Sequence, residues 1–161
     1  MLDKENVNTL WSDAIAKEIK NVKVVFKIHD NNFYVPRNHP FFKCHMIFYV
    51  KIENFRRKSI LVAGGHMTKA PAAVTYARVV SRETVCIALT IVALNDLQVK
   101  CGDVLNAYIT APFMELIWNT LGTEFGDDQG KTEIVVHAFY GLKSSDADFH
   151  KHLGKCMSVL G

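Results

Sequence analysis

Chemistry in this 161-residue sequence has to be built from a few local groups of acids, imidazoles, thiols and cations. His150, His152 and Cys156 offer nitrogen and sulfur donors of the kind zinc takes. On a helix, however, residues i and i+2 point apart, so only His152 and Cys156 share a face, too few ligands for a zinc site. Phe125-Gly126-Asp127-Asp128 sets two carboxylates in a glycine-flanked stretch, which reads as a turn rather than a metal site. Asp103 follows the alternating segment Leu97-Gln98-Val99-Lys100-Cys101, a pattern that predicts a strand delivering an acid to its end. Backbone amides or a metal ion can satisfy an acid placed there. Arg56-Arg57-Lys58 is a cationic run that reads either as a solvated turn or as a phosphate contact. No nucleophile elbow appears, so a Ser/His/Asp or Cys/His triad has no support.

The elements that must position these groups follow from hydrophobic spacing. Trp11, Ile15, Ile19 and Val22 recur at intervals of four and three, which predicts a helix from Asn8 to Val22 capped by Asn8 or Thr9. The runs VKVVFKI, HMIFYVKI and SILVA, between Lys23 and Ala63, predict strands of an antiparallel unit. Gly64 to Pro71 holds too many breakers for either element and reads as a loop. Ser81 caps a predicted helix through Leu94 that is apolar on nearly all sides and is therefore expected to be buried, with Leu89 in its packing. After a Gly-rich loop from Gly122 to Gly130, Glu133 to Tyr140 predicts a strand and Ser144 to Leu160 a final helix. Neither a repeat nor a low-complexity linker divides the chain, so one folding unit is expected over residues 1–161.

At 49% hydrophobic and 22% charged, the chain can bury a core of its own, and disorder is excluded. A formal charge of +3 is too small to argue nucleic-acid binding from charge alone. The apolar run Val85 to Leu94 is far shorter than the roughly 18 to 20 residues a bilayer span requires. Met1-Leu2-Asp3-Lys4-Glu5-Asn6 lacks the basic start and apolar stretch of a signal peptide, so an intracellular protein is expected, cytoplasmic or nuclear. Cys44, Cys86, Cys101 and Cys156 form no CxxC pair and are expected to be reduced and mostly buried.

Three blocks, RRKSILVAGG at Arg56–Gly65, GDVLNAYITAP at Gly102–Pro112 and AFYGLKSS at Ala138–Ser145, occur in that order. Together they make the chain, from Trp11 to about Met157, resemble the reverse transcriptase domain of copia-type LTR retrotransposons. The resemblance implies an α+β fold, reverse-transcriptase-like fingers with a partial palm, in which helices pack an antiparallel sheet. It implies RNA-directed DNA synthesis from dNTPs on an RNA or DNA primer-template with Mg²⁺. In that scheme Asp103 is the catalytic carboxylate and metal ligand, and Val104 adds a backbone carbonyl to the metal. Tyr108 packs under the incoming sugar and favours deoxynucleotides. Gly141 and Lys143 contact nucleotide and template, and Arg57 and Lys58, beside Arg56, steer phosphates.

This sequence departs from the family pattern in named places. Ile60 stands where relatives carry Arg, Gly64 replaces a following basic residue, and Asp146 and Asp148 add negative charge to a segment that faces nucleic acid in relatives. Relatives place a second acidic pair beyond the last helix, and Gly161 is reached before it. The expectation is a fragment that does not catalyse synthesis alone and that self-associates through exposed palm surface. The rivals are a non-catalytic nucleic-acid-binding or interaction module and an inert relic.

Overall fold

The computed structural model describes residues 2–5, 7–30, 33–35, 37, 39–67 and 79–160. Helices α1 (Leu2–Glu5) and α2 (Leu10–Val22) lead to strand β1 (Phe26–His29) and then to the hairpin β2 (Cys44–Val50) and β3 (Arg57–Ala63). Helix α3 (Arg82–Leu94), the short strand β4 (Trp118–Thr120), β5 (Thr132–Val135) and helix α4 (Ser145–Leu160) complete the order. The architecture is mixed α+β with two small antiparallel sheets, β1-β5-β4 and β2-β3.

Helix α2 begins where its apolar period predicts, but its cap comes from farther back. The Asp3 carboxylate accepts the Trp11 N–H at 3.1 Å and the Ser12 N–H at 2.8 Å, satisfying first-turn donors that have no intrahelical partner. Asn8 Oδ1 accepts the Leu10 N–H, whereas the Thr9 hydroxyl donates to Asp13 and caps nothing. The three early strands do not make one sheet. β2 and β3 pair in regular register from Cys44↔Ala63 to Val50↔Arg57, while β1 crosses to pair with β5, Phe26 opposite Val135.

The core gathers Val22, Val25 and Phe26 with Phe42, Leu61, Ile117, Phe125, Val135 and Phe139, all buried. Phe26 meets Phe139 edge-on at 5.3 Å and Phe125 at 5.9 Å, the tilted geometry that aromatic quadrupoles favour.

Two expectations fail in the segment from residue 79 to 106. Helix α3 forms with its predicted cap, the Ser81 hydroxyl accepting the Thr84 N–H at 3.2 Å. None of its residues is buried, and Leu89 is 52% exposed. Its cap and backbone bonds are local and form without a partner, whereas burial needs a second surface, which the described residues do not bring to it. The strand expected at Leu97–Cys101 is absent as well: these residues and Asp103 lie in exposed irregular chain. An alternating pattern becomes a strand only when another strand completes its ladder, and none of the described strands lies beside it. The thiols are also mostly outside: Cys86, Cys101 and Cys156 are exposed, and only Cys44 is largely covered. The predicted loop from Gly64 contains a 3₁₀ turn over Gly65–Met67, and its remainder from Thr68 to Pro71 lies outside the described residues.

Candidate functional site

The free edge of β3 organises the site. Antiparallel pairing leaves the backbone groups of alternate residues pointing away from the partner strand, and an edge so exposed has to be covered. Glu18 of α2 covers one position by accepting the Leu61 N–H at 3.1 Å. Its carboxyl is raised above the ordinary range by burial, against the Leu61 hydrogen bond and the Lys58 charge. Two residues on, the Ala63 N–H donates to the Tyr140 carbonyl at 2.7 Å, so the turn at residues 140–143 covers the next.

That turn is locked from both sides. Gly141 adopts φ +90°, and a Cβ there would collide with the Ala63 carbonyl oxygen and come within 2.7 Å of Val62 Cγ1. The close approach expected of Gly141 is thus made to β3 of this chain. The Ser145 hydroxyl donates to the Phe139 carbonyl at 2.7 Å, and the Phe139 N–H returns to it at 2.9 Å, closing the turn onto α4. Lys143 lies half-buried between Leu142 and Ser144.

The middle block joins through Ala111, whose carbonyl accepts the Ala138 N–H at 2.9 Å. Upstream, Asn106 takes the left-handed conformation, φ +53°, which Asn tolerates better than most residues, and it starts a 3₁₀ turn over Ala107–Thr110. The turn carries Tyr108 against α4. Its ring meets Tyr140 edge-on at 5.1 Å and Phe149 at 5.9 Å, and its hydroxyl donates to the Asp146 carboxylate. That hydrogen bond, with burial behind it, holds the phenol up at about 12.

The three blocks enclose a small cavity of about 100 Å³ lined by Lys58 and Ile60, Asn106 and Ile109, and Tyr140, with Glu18 and Asn21 of α2 along its wall. Ile60 presents an apolar side chain to it. Lys58 sits with its ammonium 5.7 Å from the Tyr49 ring. Arg57 lies on the opposite face of β3, where its Nη1 donates to the Phe55 carbonyl at 3.1 Å. Arg56 is exposed at the hairpin turn.

Asp103 and Val104 lie on the exposed approach to this cluster and do not line the cavity. Among the described residues no three His, Cys, Asp or Glu side chains converge where they could hold a metal ion. A two-ion site needs several carboxylates around it, so this donor set does not fit one. Asp127 is exposed, and Asp128 is engaged by Lys131 and Lys23 at 2.7 Å each, hydrogen bonds that pull its carboxyl down to about 2. His152 and Cys156 share one face of α4, Nε2 to Sγ 3.7 Å, and His150 points elsewhere and is exposed.

No protein-family model, curated protein or solved structure matches the chain. No described helix is long and apolar enough to cross a membrane.

Two features escaped the sequence. The Tyr108–Asp146 pair joins residues 38 apart, and only the packing of α4 on the Tyr108 turn brings them together. Glu133 is a buried acid at the centre of β5, with one carboxylate oxygen accepting from Asn119 Nδ2 at 3.0 Å and the other unpartnered. Burial lifts it to about 8, against the Asn119 hydrogen bond and with the Glu124 charge assisting. The same enclosure pushes the neighbouring Cys44 thiol up. Alternation alone would have turned the acid outward, since Ile134 and Val136 make a more apolar face than Glu133, Val135 and His137.

Proposed function

We propose that the chain is the fingers and the first half of the palm of a copia-type retrotransposon reverse transcriptase, an intracellular RNA-directed DNA polymerase whose substrates are dNTPs and an RNA or DNA primer-template. The observation that carries this reading is the meeting of the three sequence blocks. Arg56–Gly65, Gly102–Pro112 and Ala138–Ser145 are joined by the Ala63-to-Tyr140 and Ala138-to-Ala111 backbone bonds around one cavity. Blocks that carry a shared active site have reason to converge in this way.

In this reading Lys58 and Arg57 supply positive charge for phosphates from the two faces of β3. Tyr108 presents its ring as the floor for a sugar, with its hydroxyl held by Asp146, and the Gly141 turn fixes Lys143 at the rim. Asp103 belongs to the catalytic carboxylate set. Because the acids here do not fit a Mg²⁺ pair, no chemical step is assigned to these residues alone. Exposed α3 makes self-association of the chain an expected accompaniment.

The same lack of converging carboxylates favours a second reading, a non-catalytic module that binds nucleic acid by its basic surface. Primer extension with Mg²⁺ or Mn²⁺ separates the two. The 161-residue chain is expected to show none, while binding a primer-template duplex with an affinity that falls as salt rises. Extension abolished by Asp103→Asn would show that the acids do assemble in solution and would discard the module reading. Duplex binding indifferent to salt, or no duplex binding at all, would overturn both.

A further inference from the structure

The two edges of the β2–β3 hairpin end differently. Leu61 and Ala63 turn their N–H groups away from β2, onto Glu18 and the Tyr140 carbonyl, so alternation turns Ser59 the same way and leaves Lys58, Ile60 and Val62 to bond β2. Their partners there are Tyr49, Ile47 and His45. The backbone groups of Met46, Phe48 and Val50 therefore point out of the other side of the hairpin, and among the described residues no backbone bond reaches them there.

An open edge of this kind is a template for another strand, and proteins that stay single blunt it with charge, proline or a bulge. Met46 to Val50 has none of the three: the stretch is uncharged, holds no proline and pairs with β3 in unbroken register. Both of its faces are apolar. Phe48 stays 50% exposed although the Trp11 ring meets it edge-on at 5.5 Å, and Val50 beside it is exposed, as are Ile47 and Tyr49 on the opposite face.

This edge is complementary to itself. Antiparallel pairing about a two-fold axis through Phe48 sets Phe48 opposite Phe48 of a second copy, Met46 opposite Val50, and Ile47 opposite Tyr49, the aromatic and branched pairs that stabilise sheets. The outward groups of Met46, Phe48 and Val50 then meet the same three residues of the other chain, each pair exchanging both of its N–H···O bonds. Neighbouring registers are worse. An axis through Ile47 would oppose Lys43 to Lys51 of the second copy, whereas about Phe48 Lys43 stands opposite Glu53 and Lys51 opposite His45. An axis nearer the turn shortens the ladder, and one nearer Cys44 runs into Phe42, whose N–H is taken by the Trp118 carbonyl.

We propose that the β2 edge joins a second copy of this chain, giving a two-fold dimer with one continuous sheet in the order β3-β2-β2-β3. The contact is separate from exposed α3 and does not depend on the polymerase reading.

Sedimentation equilibrium of the full chain should show monomer and dimer with a dissociation constant below about 100 μM. Val50→Lys, which puts a charge on the edge opposite Met46 of the other copy, should weaken the dimer about tenfold, whereas Ile87→Lys on α3 should leave it within about twofold. Disulfide trapping reads the register. Ile47 and Tyr49 are opposed in the closely spaced, non-hydrogen-bonded kind of pair, while two copies of Ile47, or of Tyr49, lie only on a diagonal. With Cys86, Cys101 and Cys156 replaced by serine, an oxidised mixture of Ile47→Cys and Tyr49→Cys chains should cross-link at least about fivefold faster than either chain alone. A chain still monomeric at about 500 μM, a dimer that Ile87→Lys dissolves and Val50→Lys spares, or cross-linking no faster in the mixture than in the separate chains would each overturn the proposal. A monomeric chain with salt-dependent duplex binding intact sinks this contact and leaves the polymerase reading standing.

Discussion

Two apolar stretches of this chain, Val135 to Phe139 and Val85 to Leu94, look alike as strings and end up in opposite environments. The first lies at the centre of the molecule, with Val135, Ala138 and Phe139 buried among Phe26, Leu61 and Phe125. The second forms a well-capped helix whose side chains, from Val85 to Leu94, are exposed apart from a half-covered Val92. The difference lies in partners. Phe26, Ala111 and Ala63 each reach the first stretch or the turn after it through pairing or backbone bonds, and no described element does this for α3. Apolarity states what a segment would gain from burial; it does not supply the surface that buries it.

The largest expected effect tests that contrast directly. Phe139→Ala removes a ring that is fully buried against Phe26, and urea unfolding should show a loss of roughly 3 to 5 kcal/mol. A loss below about 1 kcal/mol would mean the centre is not packed as described.

The next effect is of pH. Glu133 is raised from 4.5 to about 8 in the folded chain, so between those values the unfolded state has lost its proton while the folded state keeps it. Stability is therefore greatest below pH 4.5 as far as this group is concerned, and falls as pH rises toward 8, with a limiting slope of about 1.4 kcal/mol per pH unit. Glu133→Gln should flatten this part of the stability profile, and a wild-type profile already flat there would show the acid to be solvated.

Gly141→Ala comes third, at about 2 kcal/mol or more. It places a side chain at positive φ against the Ala63 carbonyl, and a drop in melting temperature of several degrees is expected. The smallest effect belongs to α3. Leu89→Ala should change stability by less than about 0.5 kcal/mol, the reverse of what its apolar setting suggests. A cost of 2 kcal/mol or more would reveal a partner surface for the helix.

These contrasts mark where sequence reasoning holds. Local signals were legible: the period of α2, the Ser81 cap, the hairpin strands and the start of α4 are all set by neighbours within a few residues. The pairing of β1 was not, because VKVVFKI and SILVA carry the same strand preference, and nothing in either says that Phe26 will meet Val135. Of the residues named for a site, Lys58 lines the small cavity beside Tyr140, Tyr108 packs on the Tyr140 ring, and Gly141 follows in the same turn, an assembly that no spacing in the sequence states. Asp103 was read as a strand-end acid from alternation at Leu97–Cys101, but alternation cannot create the neighbouring strand it needs. The donors turned to the β3 edge at Ser59 were hidden because their direction depends on hairpin register.

The pairing of β1 with β5 also bears on how the chain comes off the ribosome. The hairpin β2–β3 closes over a handful of residues and can form within microseconds of its emergence. Phe26–His29 must wait for Thr132–Val135, more than a hundred residues later. At usual rates of synthesis that interval is on the order of 5 to 20 s, during which β1 has no ladder partner and the apolar residues around it have no lid. Contacts of such long range also slow spontaneous folding, since loop closure precedes any reward. The waiting strand is therefore where a nascent-chain chaperone has most to shield, and where two growing chains on one message are most apt to exchange strands.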